Sequence, residues 1–467
     1  MIRQLRQALC LLFLVRFLAG DFSVYNAIMK GTLVHCLSLH KDDFQLWNDA
    51  IVGVSEKGTI SFVGNGCDVK TLSEVYGFSV DQVTNLGRKF LIPGLIDTHL
   101  HAPQYAFTGT GTDLPLLEWL NRYTFPIESK YADLQIAEHA YTKAVKRVLS
   151  LGTTTGCYYA TIHLPATKLL VQIINQLGQR AYVGKVNMDR NSPETYVEST
   201  ENSLKDTEEF IQYCLASGEE GKRLVTPIIT PRFVPSCTTE LMTGLGRLAA
   251  QYNVPIQSHI SENCDEVKWV KDLHPECESY TDVYEKHNLL NEKSVMAHGV
   301  YLKDEELQKF ADAGAGISHC PTSNFQLASG VFNVRNALDK GVKVGLGTDV
   351  AGGYSSSMWE SIRQAMNASN TFRFGREFNS VGYREAFALA TVGGAEVLGL
   401  GERVGNFWPG KEFDALIVDP FVEGGPFDVF EWENEEQIFE KMVMMGDDRN
   451  IESVFVGGKL VAGTSKV

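Results

Sequence analysis

The sequence predicts an α/β protein: a parallel (β/α)8 barrel of the TIM type, with a small β-sandwich domain formed by both chain ends. Three observations predict it. Between Pro93 and about Gly401, short apolar runs alternate with helix-patterned segments eight times, the count at which a parallel sheet closes on itself. Histidines and an aspartate fall at the ends of several of those runs, the end at which such a barrel keeps its chemistry. Both chain ends show short β-type runs broken by Gly, Asn and Asp, the pattern of an accessory β domain. The chain of 467 residues suits one large barrel with such an accessory domain. The division is an N-terminal extension over 1–23, a composite β domain over 24–88 and 402–467, and a barrel over 89–401.

The extension opens with Arg3 and Arg6, then the apolar run Ala8–Val15, and Ala19-Gly20. This is signal-like, yet Arg16 interrupts it, and it is too short to span a membrane. It reads as a dispensable segment, with secretion as the minority alternative. The first β runs are Gly31–Leu37, Ala50–Val54 and Thr59–Val63. Barrel strands are expected at Leu91–Ile96, Thr153–Tyr158, Ala181–Val186, Leu224–Ile229, Ile256–His259, Val295–His298, Gly316–His319 and Val342–Thr348. Helices are expected at Ile136–Leu149, Ala166–Leu177, Thr239–Gln251, Glu305–Ala313 and Phe332–Asp339, with Gly152, Gly178 and Gly314 as stop signals. The acidic stretch Glu431–Glu440 reads as a solvated helix face. Trp119–Phe125 suits either a pocket wall or core. Phe413–Asp419 and Ser453–Val461 return to the β pattern and pair the C-terminus with the N-terminal runs.

Forty-two basic against 57 acidic residues give a net charge of −15 with no basic run beyond the first few residues. Such a chain repels nucleic-acid backbones, whose binding rests on phosphate neutralisation. A free nucleobase carries no phosphate and escapes that exclusion. Nine cysteines without a C-x-x-C pair read as reduced thiols and place the chain in the cytoplasm. Cys264 and Cys320 beside the site motifs read as small hydrophobes. No membrane association is expected.

The chemistry begins with His99 and His101, two residues apart after the first apolar run. Residues at i and i+2 of a strand point the same way, so both imidazoles reach one ion. His259 ends the fifth strand, His298 the sixth, and Asp349 follows the eighth. Imidazoles with one carboxylate and no thiolate suit Zn²⁺, and Fe²⁺ less well. His99, His101, His259 and Asp349 can hold one such ion per subunit and leave a position for water, whose pKa falls from about 15.7 to about 7. Glu262 lies three residues beyond His259; a turn after the strand would bring it to the substrate as a proton shuttle. His298 is expected to hydrogen-bond the water or the tetrahedral centre rather than to ligate. His319 reads as a residue behind the ligands. His35 and His40 are taken as structural, and His139, His163, His274 and His287 as surface residues.

On these residues the chain resembles the amidohydrolase superfamily, and within it the members that deaminate guanine. H-x-H with T-D marks only the superfamily. H-A-P-Q-Y (101–105), T-P-R-F (230–233) and H-I-S-E-N (259–263) together are more specific, and L-P-L-L-E-W-L, M-A-H-G, S-H-C-P-T-S-N and G-L-G-T-D-V-A-G-G-Y extend the match from about Val24 to Val461. The resemblance implies His99, His101, His259 and Asp349 as zinc ligands and Glu262 as the proton shuttle; with Glu262, His298 and Asp349 are expected to be the catalytic residues. It further implies that Gln104, Arg232 and Phe233 bind guanine, and His259, Glu262 and Asp349 are expected to contact it beside them. Arg232 would donate to O6 and N7, two adjacent acceptors; Phe233 would stack on the purine, and Gln104 would read another edge. The expected reaction is hydrolysis of guanine to xanthine and ammonia in purine catabolism. A homodimer is implied by the resemblance alone. The alternatives are a deaminase or chlorohydrolase of another aminated heterocycle, or, in a different class, a metal-free scaffold. The C-terminal Ser465-Lys466-Val467 has the form read by PDZ domains, which pair a terminal peptide with a sheet edge.

Overall fold

The structure, a computed structural model, describes residues 25–217 and 223–463. The signal-like segment and the Ser465-Lys466-Val467 tail lie outside the described residues.

The chain enters through β1 (Tyr25–Cys36), β2 (Phe44–Ser55), β3 (Ile60–Asn65) and β4 (Val83–Pro93). The barrel follows: β5 (Leu95–His101), β6 (Thr153–Tyr159), β7 (Arg180–Gly184), β8 (Val186–Asn187), β9 (Val225–Pro227), β10 (Thr230–Pro231), β11 (Ile256–Ile260), β12 (Ser294–His298), β13 (Gly316–His319) and β14 (Lys343–Leu346). The chain leaves through β15 (Ala415–Val418), β16 (Ile451–Val456) and β17 (Lys459–Gly463). Both ends join one seven-stranded sheet in the order β17-β16-β15-β4-β1-β2-β3.

The expected first barrel strand is corrected at Gly94. Leu91, Ile92 and Pro93 belong to β4 and pair with β15, while β5 starts at Leu95. The apolar run Leu91–Ile96 thus serves two sheets, because both its parts are buried. Gly94 lies between them, where a Cβ would come within 2.1 Å of Thr154 Oγ1; only glycine lets the chain pass so close.

The parallel strands form two arcs, β5-β6-β7-β9 and β11-β12-β13-β14. One seam is bridged by the parallel pair Ile229–Ile256. At the other, Asp349 N–H donates to His99 C=O at 2.9 Å and His101 N–H to Val350 C=O at 3.1 Å. The second seam therefore passes through the residues that carry the chemistry.

The five expected helices appear at Leu134–Ser150, Leu164–Leu177, Thr239–Tyr252, Asp304–Ala313 and Val334–Asp339. Their glycine stops are met: Gly178 and Gly314 cap in the left-handed region. Helices Thr200–Ala216 and Met358–Thr371 were not among the expected ones. The acidic stretch contributes to helix Glu435–Met445, whose inner face buries Ile438, Phe439, Met442 and Val443. A buried clamp ties the end-built sheet to the barrel: Arg180 of β7 donates to Asp414 at 3.0 and 3.1 Å and to Glu412 at 2.6 Å. Among the described residues no helix is long and apolar enough to cross a membrane.

Candidate metal centre and pocket

Four ligand atoms, one each from His99, His259, His298 and Asp349, lie within 4.8 Å of one another, and all four residues are buried. His101 completes the group, its Nε2 lying 3.1 Å from His259 Nε2 and 3.4 Å from Asp349 Oδ1. His99 Nε2 is 3.0 Å from the same Asp349 oxygen. Strand alternation puts His99 and His101 on the same side, as the spacing predicts. The left-handed backbone of Asp349, φ 47°, returns its carboxylate toward them. Asp97 anchors this junction from β5: it accepts from Thr348 Oγ1 at 2.5 Å and from the Thr348 and His99 amides.

The group fits a cation. Burial lowers the His99, His101 and His259 pKa values, that of His101 to about 4, so the rings are neutral. His259 Nδ1–H donates to the Arg232 carbonyl at 2.6 Å, which leaves Nε2 as a bare lone pair facing the cluster. With His259 Nε2 a lone pair, its approach to His101 Nε2 at 3.1 Å calls for a proton on His101 Nε2 or a cation shared by the two rings. Against the push of burial, hydrogen bonds from His101 and His99 hold the Asp349 carboxyl well below its usual range. The donor set, imidazole and carboxylate without thiolate, is that of a zinc- or iron-type site.

His298 stands at the end of β12 with φ 75°, a backbone conformation costly for a bulky residue and concentrated at functional sites. Its Nδ1 pairs with Asn324 Oδ1 at 2.9 Å, and its Nε2 lies 3.4 Å from Glu262 Oε2 and 3.8 Å from Asp349 Oδ2. The turn expected after His259 is present. Ser261, at φ 50°, reverses the face of the chain so that Glu262 enters the pocket. Glu262 is 4% exposed, and among the described residues its Oε1 has no hydrogen-bond partner. Burial, then the charges of Asp349 and Glu266, push its carboxyl well above the usual range, a setting that suits a group carrying a proton.

The pocket beside the cluster is lined by Gln104, Trp119, Arg232, Phe233 and Leu327, with Leu116 and Leu120. Trp119 thus belongs to both the pocket wall and a core cluster. Sequence reasoning missed Glu128 and Tyr196. Arg232 does not present a free guanidinium: its Nη1 and Nη2 donate to Glu128 at 2.7 and 3.2 Å. Against burial, Arg232 holds the Glu128 carboxyl below its usual value. No motif could have revealed this pair, since the two residues lie 104 positions apart.

Other expectations are corrected. His274 and His287 are buried rather than on the surface, because their helix ends fold inward; His287 Nδ1 pairs with Thr243 Oγ1 at 2.9 Å. His163 is half-buried, whereas His139 is exposed. His319 is fully buried against Phe332, and neither ring nitrogen has a partner among the described residues. Cys320 is buried as expected, but Cys264 is exposed.

A barrel of this kind, with a histidine–aspartate cluster and a buried glutamate in its pocket, defines a metal-dependent hydrolase. The chain belongs to the amidohydrolase family, whose profile matches residues 90–461. Its relatives include a guanine deaminase of Dictyostelium discoideum, 49% identical over 93% of this chain and 98% of that protein. A human guanine deaminase is 47% identical over 93% of this chain and 96% of that protein. Among solved structures, a guanine deaminase from C. acetobutylicum with bound guanine in the active site superposes with a TM-score of 0.84. It is 36% identical, covering 93% of this chain and 99% of that one.

Proposed function

We propose that this chain is a hydrolase that converts guanine and water to xanthine and ammonia, with one zinc ion per subunit. The carrying observation is the pocket itself, where Gln104, Arg232 and Phe233 share one wall system with His101, His259, Glu262 and Asp349. The similarity to guanine deaminases over almost the whole chain supports the same substrate.

His99, His101, His259 and Asp349 would hold the ion, which when bound supplies a Lewis acid that makes water a nucleophile near neutral pH. Zinc is preferred over Fe²⁺ for this donor set. Arg232 orients guanine by donating to O6 and N7, an arrangement adenine cannot satisfy because it lacks O6. Phe233, 7% exposed beside Trp269, offers a face for the purine. The Gln104 amide is held at both ends: Nε2 donates to Glu128 at 2.9 Å, and Oε1 accepts from the Ala351 amide at 3.1 Å. Glu262 takes one proton from the attacking water and passes it to a ring nitrogen; the second goes from the new C2 hydroxyl to the amino group, which leaves as ammonia as C2=O forms. His298 and Asp349 stabilise the tetrahedral carbon and steer that proton.

The test is ammonia release by metal-replete protein on guanine, adenine, cytosine and 8-oxoguanine, with metal content measured alongside. Guanine should dominate, with one zinc per chain. Absence of ammonia from guanine overturns the reading. The enzyme is further placed in the cytoplasm, in keeping with eight unpaired cysteines among the described residues, and assigned a homodimeric state, which sedimentation would check. For the Ser465-Lys466-Val467 tail, a peptide pull-down on PDZ domains against Val467→Asp decides; no preference for the native tail removes that partner.

A further inference from the structure

Glu128 lies on the segment Phe125–Glu128, outside every motif at the strand ends, and it is fully buried. Four donors converge on its two oxygens. Oε1 accepts from Arg232 Nη2 at 3.2 Å and Gln104 Nε2 at 2.9 Å; Oε2 accepts from Arg232 Nη1 at 2.7 Å and the Tyr196 hydroxyl at 2.6 Å. The carboxylate thus touches two of the groups assigned to reading the purine. It also engages the end of the guanidinium formed by the two terminal nitrogens. A guanidinium has five N–H donors in a fixed fork, so the Nε–H and Nη2–H edge remains for a ligand.

The arrangement has an electrostatic meaning. An uncompensated arginine in a dry pocket attracts anions strongly. Xanthine, with the same O6 and N7 edge as guanine, loses a proton near neutrality; hypoxanthine, with that edge too, stays neutral under mildly alkaline conditions. We propose that Glu128 is a specificity-determining positioning residue: it cancels the charge of Arg232 and fixes its free edge, so the pocket binds a neutral purine by hydrogen bonds and disfavours an anionic one, ionised product included. This inference rests on guanine being the substrate class.

The experiment is equilibrium binding of xanthine and hypoxanthine to metal-replete protein by calorimetry, at mildly alkaline pH where xanthine is largely anionic. Wild-type protein should bind anionic xanthine no tighter than hypoxanthine. Glu128→Gln keeps the shape and removes the charge. It should tighten anionic xanthine about tenfold or more, and hypoxanthine by far less. Glu128→Asp keeps the charge on a shorter arm and should retain the wild-type ratio of the two affinities while raising KM for guanine. A folded Glu128→Gln protein with the wild-type ratio overturns the inference, as does Glu128→Asp shifting the ratio as much as Glu128→Gln. If Glu128→Gln fails to fold, the wild-type ratio decides: a preference for the anion of about tenfold refutes the role of charge. Binding is read without turnover, so absence of ammonia from guanine would sink the proposed function, whereas an unchanged ratio sinks only this inference.

Discussion

Gly352 offers a way to disturb the metal centre without touching a ligand. A Cβ at this position would lie 2.7 Å from Asp349 Oδ2 and 2.6 Å from Ser323 Oγ. Ordinary contact begins at 3.4 Å, so Gly352→Ala must displace the Asp349 carboxylate by about 0.7 Å unless the loop itself gives. Metal–ligand distances tolerate about 0.2 Å, so a shift of this size places the oxygen outside a usable bond. Displaced support of this kind typically costs about 10- to 100-fold in metal affinity or activity, equivalent to about 1.4–2.7 kcal/mol. The backbone of Gly352 does not require glycine, since its φ lies outside the left-handed region, so the fold should survive. The assay is zinc retained after dialysis against a graded chelator, with ammonia release and thermal melting in parallel. Gly382→Ala, where a Cβ meets nothing within 4 Å, is the control. Wild-type zinc retention and turnover in Gly352→Ala would refute the close packing of Gly352 as a support that holds the Asp349 carboxylate in place.

Glu262→Gln should still bind guanine while kcat falls by several orders of magnitude, because the amide cannot carry the proton; a proportional loss in affinity instead would remove the shuttle role. Arg232→Lys should raise KM for guanine about tenfold or more, since one ammonium cannot serve both Glu128 and the purine edge; unchanged kinetics would show that Arg232 does not read that edge. His35→Asn addresses stability. Burial and then Lys411 lower the His35 pKa from 6.5 to about 4, so the unfolded chain takes up the proton first as pH falls. Its contribution is fully present above pH 6.5 and drains away between there and about 4, about 3 kcal/mol at 1.36 per unit. The stability gap between wild type and His35→Asn should change by that amount across this window in urea melts; a constant gap would mean His35 titrates normally.

The barrel was legible because its strands are buried apolar runs and its helices carry caps and glycine stops, signals confined to neighbouring residues. The histidine–aspartate cluster was legible for a related reason: each member lies within three residues of a strand end. What escaped depends on partners distant in sequence. Glu128 meets Arg232 and Tyr196 only after the barrel closes, and Asn324, on the helix Pro321–Gln326, meets His298 across 26 positions. The bend at Gly94 was hidden because a run buried in two successive sheets looks like one strand. Exposure of His274 and His287 was misjudged because position on a helix or loop does not say which way the ring faces.

The position of β4 between β1 and β15 has a consequence for synthesis. As the chain emerges from the ribosome, β4 has β1 beside it but no partner on its other side until residues 415–418 are made. Throughout that interval a buried-type strand edge stays open, the kind that recruits other chains. Pairings of such long sequence separation also form slowly. Nascent chains stalled before β15 should therefore be the aggregation-prone species and the natural clients of chaperones, whereas completion of the last strands closes the sheet and retires the hazard.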